Sequence, residues 1–256
     1  MNLKDRIIIV TAGCSGLGKE FTKFLLSKGA VVIPTTRDKL KASHLNAQID
    51  ESVVTNCFPE VLDFEFEEDN QSFIERIKSK FGKVYGLVNV AVFRDPIDGY
   101  CAHGIRLWED HYRVNVFLTT HLTILTAEEL IINDGSIVNV SSFYSRIIPD
   151  RRIYEDGLDS TAMIYGSSKA ALNHITKYLA VEFSSKNIRV NAILPAGTRN
   201  QKTQAENFFK DYCYRTPMNR MAAPDEFNSA LAFLLSPNNQ FCTGQLITVD
   251  GGYGLI

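Results

Sequence analysis

Residues 11–18 read Thr-Ala-Gly-Cys-Ser-Gly-Leu-Gly, between a short β-branched run at 6–10 and a segment of helical period at 16–27. Glycines at such a junction let the backbone turn sharply and approach a pyrophosphate, which then lies at the positive end of the helix. This context predicts a dinucleotide site, and the alternative is a turn that only connects strand to helix. The residues predicted to contact the dinucleotide here are Thr11, Gly13, Ser15, Gly16, Leu17 and Gly18.

The same alternation of short β-branched runs and longer helical segments continues through the chain. The predicted strands are residues 6–10, 30–35, 60–63, 84–90, 136–140, 188–193 and 246–249. The predicted helices, from apolar residues at three- and four-residue spacing, are 16–27, 70–81, 107–130, 162–184 and 224–235. The pattern predicts an α/β fold, a Rossmann-type doubly wound parallel sheet of about seven strands with helices on both faces.

Domain organisation follows from the lack of internal repeats and of Pro/Ser-rich linkers in the sequence. Residues 1–256 are therefore predicted to form a single NAD(P)-binding domain. Two segments, at about 143–161 and 196–221, do not fit the alternation and follow strands in the later half of the chain. Loops at the carboxyl ends of parallel strands form the ligand crevice, so both segments are predicted to be substrate loops.

Composition excludes several functional classes. The 27 basic and 29 acidic residues give a net charge of −2 and leave no basic field, so no nucleic-acid partner is expected. The five cysteines are far apart and lack zinc-site spacing, which predicts free thiols and no metal site. The sequence shows no secretory signal and no apolar run of the roughly 18 residues that a membrane span needs. We expect a soluble cytoplasmic protein with no membrane partner.

The end of the second predicted strand distinguishes the two nicotinamide cofactors. An acidic residue at this place binds the ribose hydroxyls of NAD(H), whereas an arginine accommodates the 2′-phosphate of NADP(H). Thr36 is followed here by Arg37, which favours NADP(H). The alternative is a solvated Arg37 with Asp38 serving the ribose, so NAD(H) stays possible. Asp63, which closes the third strand, is predicted to accept from the adenine amino group or else to cap the following turn.

Tyr165 and Lys169 stand four residues apart in a predicted helix, so their side chains share one face. A phenol with an ordinary pKa of about 10 is a poor base at neutral pH, and a neighbouring ammonium favours its ionised form. The spacing therefore predicts an acid–base pair. Tyr-x-x-x-Lys is common by chance, so its significance depends on the neighbouring motifs.

Several motifs in order make the chain resemble the short-chain dehydrogenase/reductase family, of the compact single-domain type, from residue 4 to about 252. Thr11, Gly16 and Gly18 fit its TGxxxGxG motif, and Asn89 with Ala91 fits part of NNAG. Asn115 fits the helical asparagine, Ser142 the catalytic serine, and Tyr165 with Lys169 YxxxK. Arg189, Val190, Asn191 and Pro195 fit the motif of the sixth strand, and residues 249–252 the terminal one.

The resemblance implies a mechanism. Tyr165 would exchange a proton with the substrate oxygen, and Ser142 would hold that oxygen by a hydrogen bond. Lys169 would bind the nicotinamide ribose and tune Tyr165, while Asn115 would anchor a water that relays protons. Asn89, Ala91 and Pro195 would complete the cofactor site. Hydride would pass between the nicotinamide and the substrate carbon.

The resemblance also implies a homo-oligomer, a tetramer or a dimer, with the helices after residues 107 and 162 as contact faces. The chain departs from the family pattern at Ala12, Val90, Val92 and Ala196, positions that concern the seating of the cofactor and remove no catalytic group. Between Ser142 and Tyr165 lie 22 residues, about ten more than the family leads one to expect. In this stretch the chain is similar to a subgroup found with flagellin-modification and bacterial surface-sugar pathways.

The predicted function is an NADP(H)-dependent oxidoreductase acting on a carbonyl or secondary alcohol of a polar, sugar-like small molecule. The polar substrate is inferred from the polar side chains of the two substrate loops, which are Asp150, Arg151, Arg152, Glu155 and Asp156 in the first and Thr198, Arg199, Asn200 and Gln201 in the second. One alternative is a catalytically inactive NAD(P)-binding regulator. Another is a nucleotide-sugar-modifying enzyme that uses the same YxxxK chemistry.

Overall fold

A computed structural model describes residues 3–63, 66–94, 104–154, 163–199 and 204–256. Within these ranges seven parallel strands form one sheet in the order β3-β2-β1-β4-β5-β6-β7. The strands are β1 Ile7–Val10, β2 Val31–Thr36, β3 Glu60–Val61, β4 Val84–Asn89, β5 Ile131–Val140, β6 Arg189–Pro195 and β7 Leu246–Val249. The predicted Rossmann-type sheet is confirmed.

Helices cover both faces of this sheet. They are α1 Gly16–Ser27, α2 Lys39–Leu45, α3 Glu67–Phe81, α4 Ile105–Tyr112, α5 Thr119–Leu125, α6 Met163–Glu182, α7 Glu206–Arg215 and α8 Asn228–Leu235. Two π-helical turns, Arg113–Leu118 and Thr126–Leu130, follow α4 and α5. The predicted helix at 107–130 is therefore a chain of α and π segments.

Alternation along the strands divides the core into two layers. Ile8 and Val10 of β1 are fully buried on one face, in a cluster with residues of α1 and α8. Ile9, between them, is buried on the other face, in a cluster with residues of α3, α5 and α6. Full burial of such a side chain stabilises the fold by roughly 1.5–3 kcal/mol. Both faces of the strand are apolar because helices cover the sheet on both sides.

Two helices were missed in the sequence. α2 reads KLKASHL and buries only Leu45, so it has too little apolar periodicity to be recognised. α7 lies inside the predicted substrate loop at 196–221, and the assignment of that whole segment as irregular is wrong. α7 buries Tyr212 and Cys213 against residues from distant parts of the chain, including Phe143 and Tyr253. The rest of the two predicted loops is described only in part, because residues 155–162 and 200–203 lie outside the described ranges.

The strand order places the candidate site. The chain goes from β1 to β2 on one side of the sheet, and from β4 to β5 on the other side. Because β1 and β4 are neighbours, a crevice opens between these two connections, beyond the carboxyl ends of the strands. The glycine-rich turn follows β1, Val90 follows β4, Ser141 follows β5, and Pro195 ends β6. Residues far apart in sequence therefore meet along one edge of the sheet. No helix in the described ranges combines the length and the apolar character of a membrane span.

Candidate active site

A cleft of about 1220 Å³ lies beyond the carboxyl ends of the strands. It runs from the glycine-rich turn, past the ends of β5 and β6, to the first turns of α6 and to α7. The predicted site residues that line it are Ser15, Gly16, Leu17, Gly18, Ser142, Tyr165, Lys169 and Pro195. The fold thus brings the predicted catalytic side chains and much of the glycine-rich turn to one cavity.

The glycine-rich turn is built for close approach. A Cβ on Gly13 would stand 2.6 Å from Cβ of Pro34, and a Cβ on Gly18 would clash with the carbonyl oxygen of Ala12. Ser15 is the N-cap of α1 but makes no side-chain capping hydrogen bond. The first N–H groups of α1 therefore have no side-chain acceptor there, and they face the cleft as an anion site would require. The turn fits a dinucleotide pyrophosphate.

Ala12 carries backbone strain in this turn. Its φ of 51° lies in the left-handed region, at the position where the family pattern has its first glycine. An L-residue with a Cβ adopts this conformation at a cost of roughly 1–2 kcal/mol. The departure noted in the sequence is therefore accommodated by strain in the turn.

Thr11 and Asn89 lie behind the wall of the cleft. The Thr11 hydroxyl, fully buried, accepts hydrogen bonds from the backbone N–H groups of Val90 at 2.8 Å and Ala91 at 2.9 Å. Nδ2 of Asn89 donates to Thr123 Oγ1 and to Asn139 Oδ1, both at 2.8 Å. These bonds hold the ends of β1, β4 and β5 together, so both residues support the site from behind.

The residues expected at the adenosine end lie outside the lining of the cleft. Arg37 is exposed directly after β2, and Asp63 is exposed two residues after β3. Oδ1 of Asp38 accepts hydrogen bonds from the backbone N–H groups of Leu40 at 2.9 Å and Lys41 at 3.2 Å. The Asp38 carboxylate is thus the N-cap of α2.

Ser142, Tyr165 and Lys169 form the centre of the site. The Ser142 hydroxyl oxygen accepts from the Tyr144 backbone N–H at 3.1 Å, which leaves its own proton to donate, and it hydrogen-bonds the Tyr165 side chain. Nζ of the buried Lys169 donates to the carbonyl oxygen of Val140 at 2.9 Å. Burial lowers the pKa of Lys169 to about 8 and raises the pKa of Tyr165 above its ordinary value.

Arg94 is a cleft residue that the sequence analysis missed. Its guanidinium carbon lies 5.7 Å from the centre of the Tyr165 ring. Its positive charge is the largest influence that opposes the burial effect and lowers the pKa of Tyr165. From the i, i+4 spacing, Lys169 was the residue predicted to lower the pKa of Tyr165. Arg94 follows the NNAG-like motif by two residues, so its position after β4 was the available signal.

Asn115 connects the segment that leads to Arg94 with helix α6, which contains Tyr165 and Lys169. Its Oδ1 accepts from the backbone N–H of Phe93 at 2.8 Å, and its Nδ2 donates to the carbonyl oxygen of Phe93 at 3.1 Å. The same Nδ2 donates to Ser168 Oγ at 3.1 Å, and Ser168 Oγ donates to the carbonyl oxygen of Tyr165 at 2.9 Å. The Asn115 side chain thus ties the segment after β4 to the first turn of α6.

The substrate walls are more aromatic than the sequence indicated. The cleft is lined by Phe143, Tyr144, Tyr154, Phe208 and Tyr212. The Tyr144 and Tyr154 hydroxyls lie 3.4 Å apart and face each other as hydrogen-bond partners. None of these rings was predicted as a site residue, although Tyr144 follows Ser142 by only two residues.

The described charged side chains of the first predicted substrate loop, at 143–161, lie outside the cleft. Asp150, Arg151 and Arg152 do not line the cleft. Asp150 pairs with Arg152 at 2.7 Å and also with Arg215 at the end of α7. The prediction that these side chains form the cleft wall is wrong, because the pairing with α7 satisfies the Asp150 carboxylate away from the cavity. Of the second wall, Thr198 and Arg199 do line the cleft. The other predicted wall residues, Glu155, Asp156, Asn200 and Gln201, lie outside the described residues.

Comparison with known proteins shows the family of this chain. A model described as "Enoyl-(Acyl carrier protein) reductase", one of the short-chain dehydrogenase/reductase models, matches residues 11–254. The chain belongs to the short-chain dehydrogenase/reductase family. This short-chain dehydrogenase/reductase is therefore an oxidoreductase that acts on CH–OH or C=O groups with NAD(P).

Similar proteins cover nearly the whole chain. A 7alpha-hydroxysteroid dehydrogenase of Clostridium sardiniense is 28% identical, over 99% of this chain and 95% of its own length. A post-translational flagellin modification protein A of Campylobacter coli is 28% identical, over 99% and 100%. The crystal structure of a short chain dehydrogenase from Leptospira borgpetersenii with bound NAD+ has a TM-score of 0.83 and 25% identity, covering 98% of this chain and 93% of that chain. These matches support the resemblance to the family and to the flagellin-modification subgroup.

Candidate metal ligands were sought among the described residues. In the described part of the chain, no three His, Cys, Asp or Glu side chains converge as metal ligands would. The four cysteines within the described ranges, Cys14, Cys57, Cys213 and Cys242, are free thiols.

Proposed function

We propose that this short-chain dehydrogenase/reductase is an NADP(H)-dependent enzyme that interconverts a carbonyl and a secondary alcohol on a polar, sugar-like substrate. The observation that carries the proposal is the meeting of Ser142, Tyr165 and Lys169 in the cleft that also contains the glycine-rich turn. NADP(H), when bound, supplies or accepts the hydride. The protein's own residues bind, orient and move the proton.

Tyr165 exchanges the proton with the substrate oxygen. The Ser142 hydroxyl, whose oxygen already accepts from the Tyr144 N–H, donates its proton toward that substrate oxygen. Lys169 would hold the nicotinamide ribose with Nζ, and the charge of Arg94 favours the ionised phenol of Tyr165. Asn115 would anchor a water for proton relay. Both N–H donors of its side-chain amide are already bonded, to Phe93 and to Ser168, so the water would bind another polar group of Asn115.

The phenol assignment is tested with Tyr165→Phe, which removes the transferable proton and keeps the ring. We expect turnover to fall by about 10²- to 10⁴-fold while cofactor affinity stays the same. Tyr214→Phe is the matched control, since Tyr214 is 89% exposed. NADPH oxidation with a ketone panel and fluorescence titration of NADPH measure both properties, and normal turnover in the Tyr165 variant would contradict the proposal.

The preference for NADP(H) rests on the end of β2. Arg37 is exposed there and can meet a 2′-phosphate, while Oδ1 of Asp38 is engaged as the N-cap of α2. Asp63 is assigned to the adenine, and Asn89, Ala91 and Pro195 to the frame of the nicotinamide site. Arg37→Asp should reverse the ratio of NADPH to NADH affinity, and tighter NADH binding by the unmodified protein would sink the assignment.

The substrate class is inferred from the groups at the catalytic end of the cleft. Arg94 and Thr198 offer hydrogen-bond donors there, and the Tyr144 and Tyr154 hydroxyls offer both donors and acceptors. An oxygen-rich ligand can satisfy these groups, whereas a wholly apolar one would leave them unpaired at a cost. Aromatic faces on the same walls suit the apolar face of a sugar ring. Thermal shift with NADPH present compares sugars with steroids and long-chain ketones.

We also propose a cytoplasmic homo-oligomer, a tetramer or a dimer. The support is large apolar side chains left exposed on α6 and beside α5, with Val181 at 75%, Tyr178 at 69% and Phe117 at 61% exposure. Light scattering on the purified protein tests the assembly, and a monomer at micromolar concentration would exclude it.

A further inference from the structure

We infer that Arg94 binds an anionic group of the substrate, a carboxylate or a phosphate, close to the reacting carbonyl. The inference deepens the proposed function and rests on it. It assigns a negative charge to the same substrate whose carbonyl oxygen Tyr165 would protonate. It starts from the position of Arg94, which lines the cleft and is exposed to solvent within 5.7 Å of the Tyr165 ring centre. A ligand in contact with the Tyr165 hydroxyl is therefore within reach of the guanidinium.

Arg94 differs from nearby arginines in its pairing. Arg199, the other arginine on the cleft wall, is bound to Glu206 at 2.7 Å and packs over the Phe209 ring at 3.5 Å. Arg215 is bound to Asp150. For Arg94, no carboxylate of the described residues lies within ion-pair distance. The guanidinium thus keeps its planar set of donors for a ligand, and such a set matches a carboxylate or a phosphate in two-point hydrogen bonding.

The charge of the cleft favours the same ligand. Among the described residues that line it, the single carboxylate is that of Glu20. Glu20 belongs to α1, at the far end from the catalytic residues, and its Oε1 accepts from Asn228 at 3.3 Å. At the catalytic end Arg94 and Lys169 have no carboxylate partner among the described residues, whereas the charge of Arg199 is offset by Glu206. A neutral substrate would leave this excess of positive charge uncompensated, whereas an anion would reduce it.

The segment before Arg94 is held in place for this task. The backbone N–H and carbonyl of Phe93 are both bonded to the Asn115 amide, at 2.8 and 3.1 Å. The same amide is bonded to Ser168, which is bonded to the Tyr165 backbone. The backbones that carry Arg94 and Tyr165 are therefore set at a defined separation, so less ordering is needed when a ligand binds to both side chains.

The test compares matched ligands that differ in charge, with the protein saturated with NADP+. Dihydroxyacetone phosphate is paired with dihydroxyacetone, and levulinate with methyl levulinate. Calorimetry should give tighter binding of the charged member by about 10- to 100-fold, the range for hydrogen bonds between charged groups. The pair with the larger ratio distinguishes phosphate from carboxylate as the preferred group.

Arg94→Gln should abolish that ratio, and Arg94→Lys should restore part of it, because lysine retains the charge without the planar set of donors. Arg106→Gln is the control, since Arg106 is an exposed arginine of α4 outside the cleft. A wild type that binds both members of each pair equally, or not at all, overturns the inference, and so does an Arg94→Gln variant with an unchanged ratio.

NADPH consumption by the same ketones separates the two levels of the proposal. A charge preference that depends on Arg94, together with no turnover of any ketone, would support the anion site and count against the proposed reaction. Turnover of the neutral ketones with no charge preference would support the reaction and overturn the anion site.

Discussion

Replacing Ala12 by glycine should stabilise the protein, because glycine adopts the left-handed backbone conformation freely. The φ of Ala12 is 51°, and this conformation costs an L-residue roughly 1–2 kcal/mol. Glycine also gains freedom in the unfolded chain, which offsets roughly 0.5–1 kcal/mol of the relief. The net expectation is an increase in the free energy of unfolding of about 0.5–1 kcal/mol. For a chain of this length that raises Tm by about 1–4 °C.

Urea and thermal denaturation, followed by circular dichroism, measure the change. Ala42→Gly is the matched control of opposite sign, since Ala42 lies inside α2, where glycine destabilises a helix by roughly 0.5–1 kcal/mol. The Ala12 variant should bind NADPH at least as well as the wild type, because the turn would match the family pattern. A lower Tm for Ala12→Gly would refute the argument from strain.

Two further predictions concern charges of the catalytic site. Burial lowers the pKa of Lys169 to about 8 from an ordinary value of 10.5, so between these pH values the unfolded chain binds the proton that the folded protein lacks. The stability of wild type relative to Lys169→Met should therefore rise from pH 8 to 10.5, and a constant difference in urea denaturation would contradict it. Arg94→Gln should raise the pKa of Tyr165, because the Arg94 guanidinium favours the ionised phenol. Lys169 is unchanged in this variant. The ascending limb of kcat/KM for alcohol oxidation should then move to higher pH, and an unmoved limb would show that Arg94 does not act on Tyr165.

Local pattern was sufficient for the architecture. Seven β-branched runs predicted the seven strands, and α1 occupies the predicted residues 16–27, since the period of apolar residues reflects burial against the sheet. The same pattern failed for α2 and α7. Helix α2 is largely exposed, and α7 buries its aromatic residues against distant loops, so neither carries a strong local signal.

The sequence alone determined the strand–turn–helix unit of the cofactor site and the i, i+4 spacing of Tyr165 and Lys169, because both are properties of adjacent residues. Tertiary structure alone decided which side chains face the cleft. Arg94 reaches Tyr165 across 71 residues of sequence, and Asp150 turns to Arg215 across 65, because parallel strands bring their carboxyl ends to one edge. Contacts of this kind depend on packing between separate segments, which no pattern of neighbouring residues encodes.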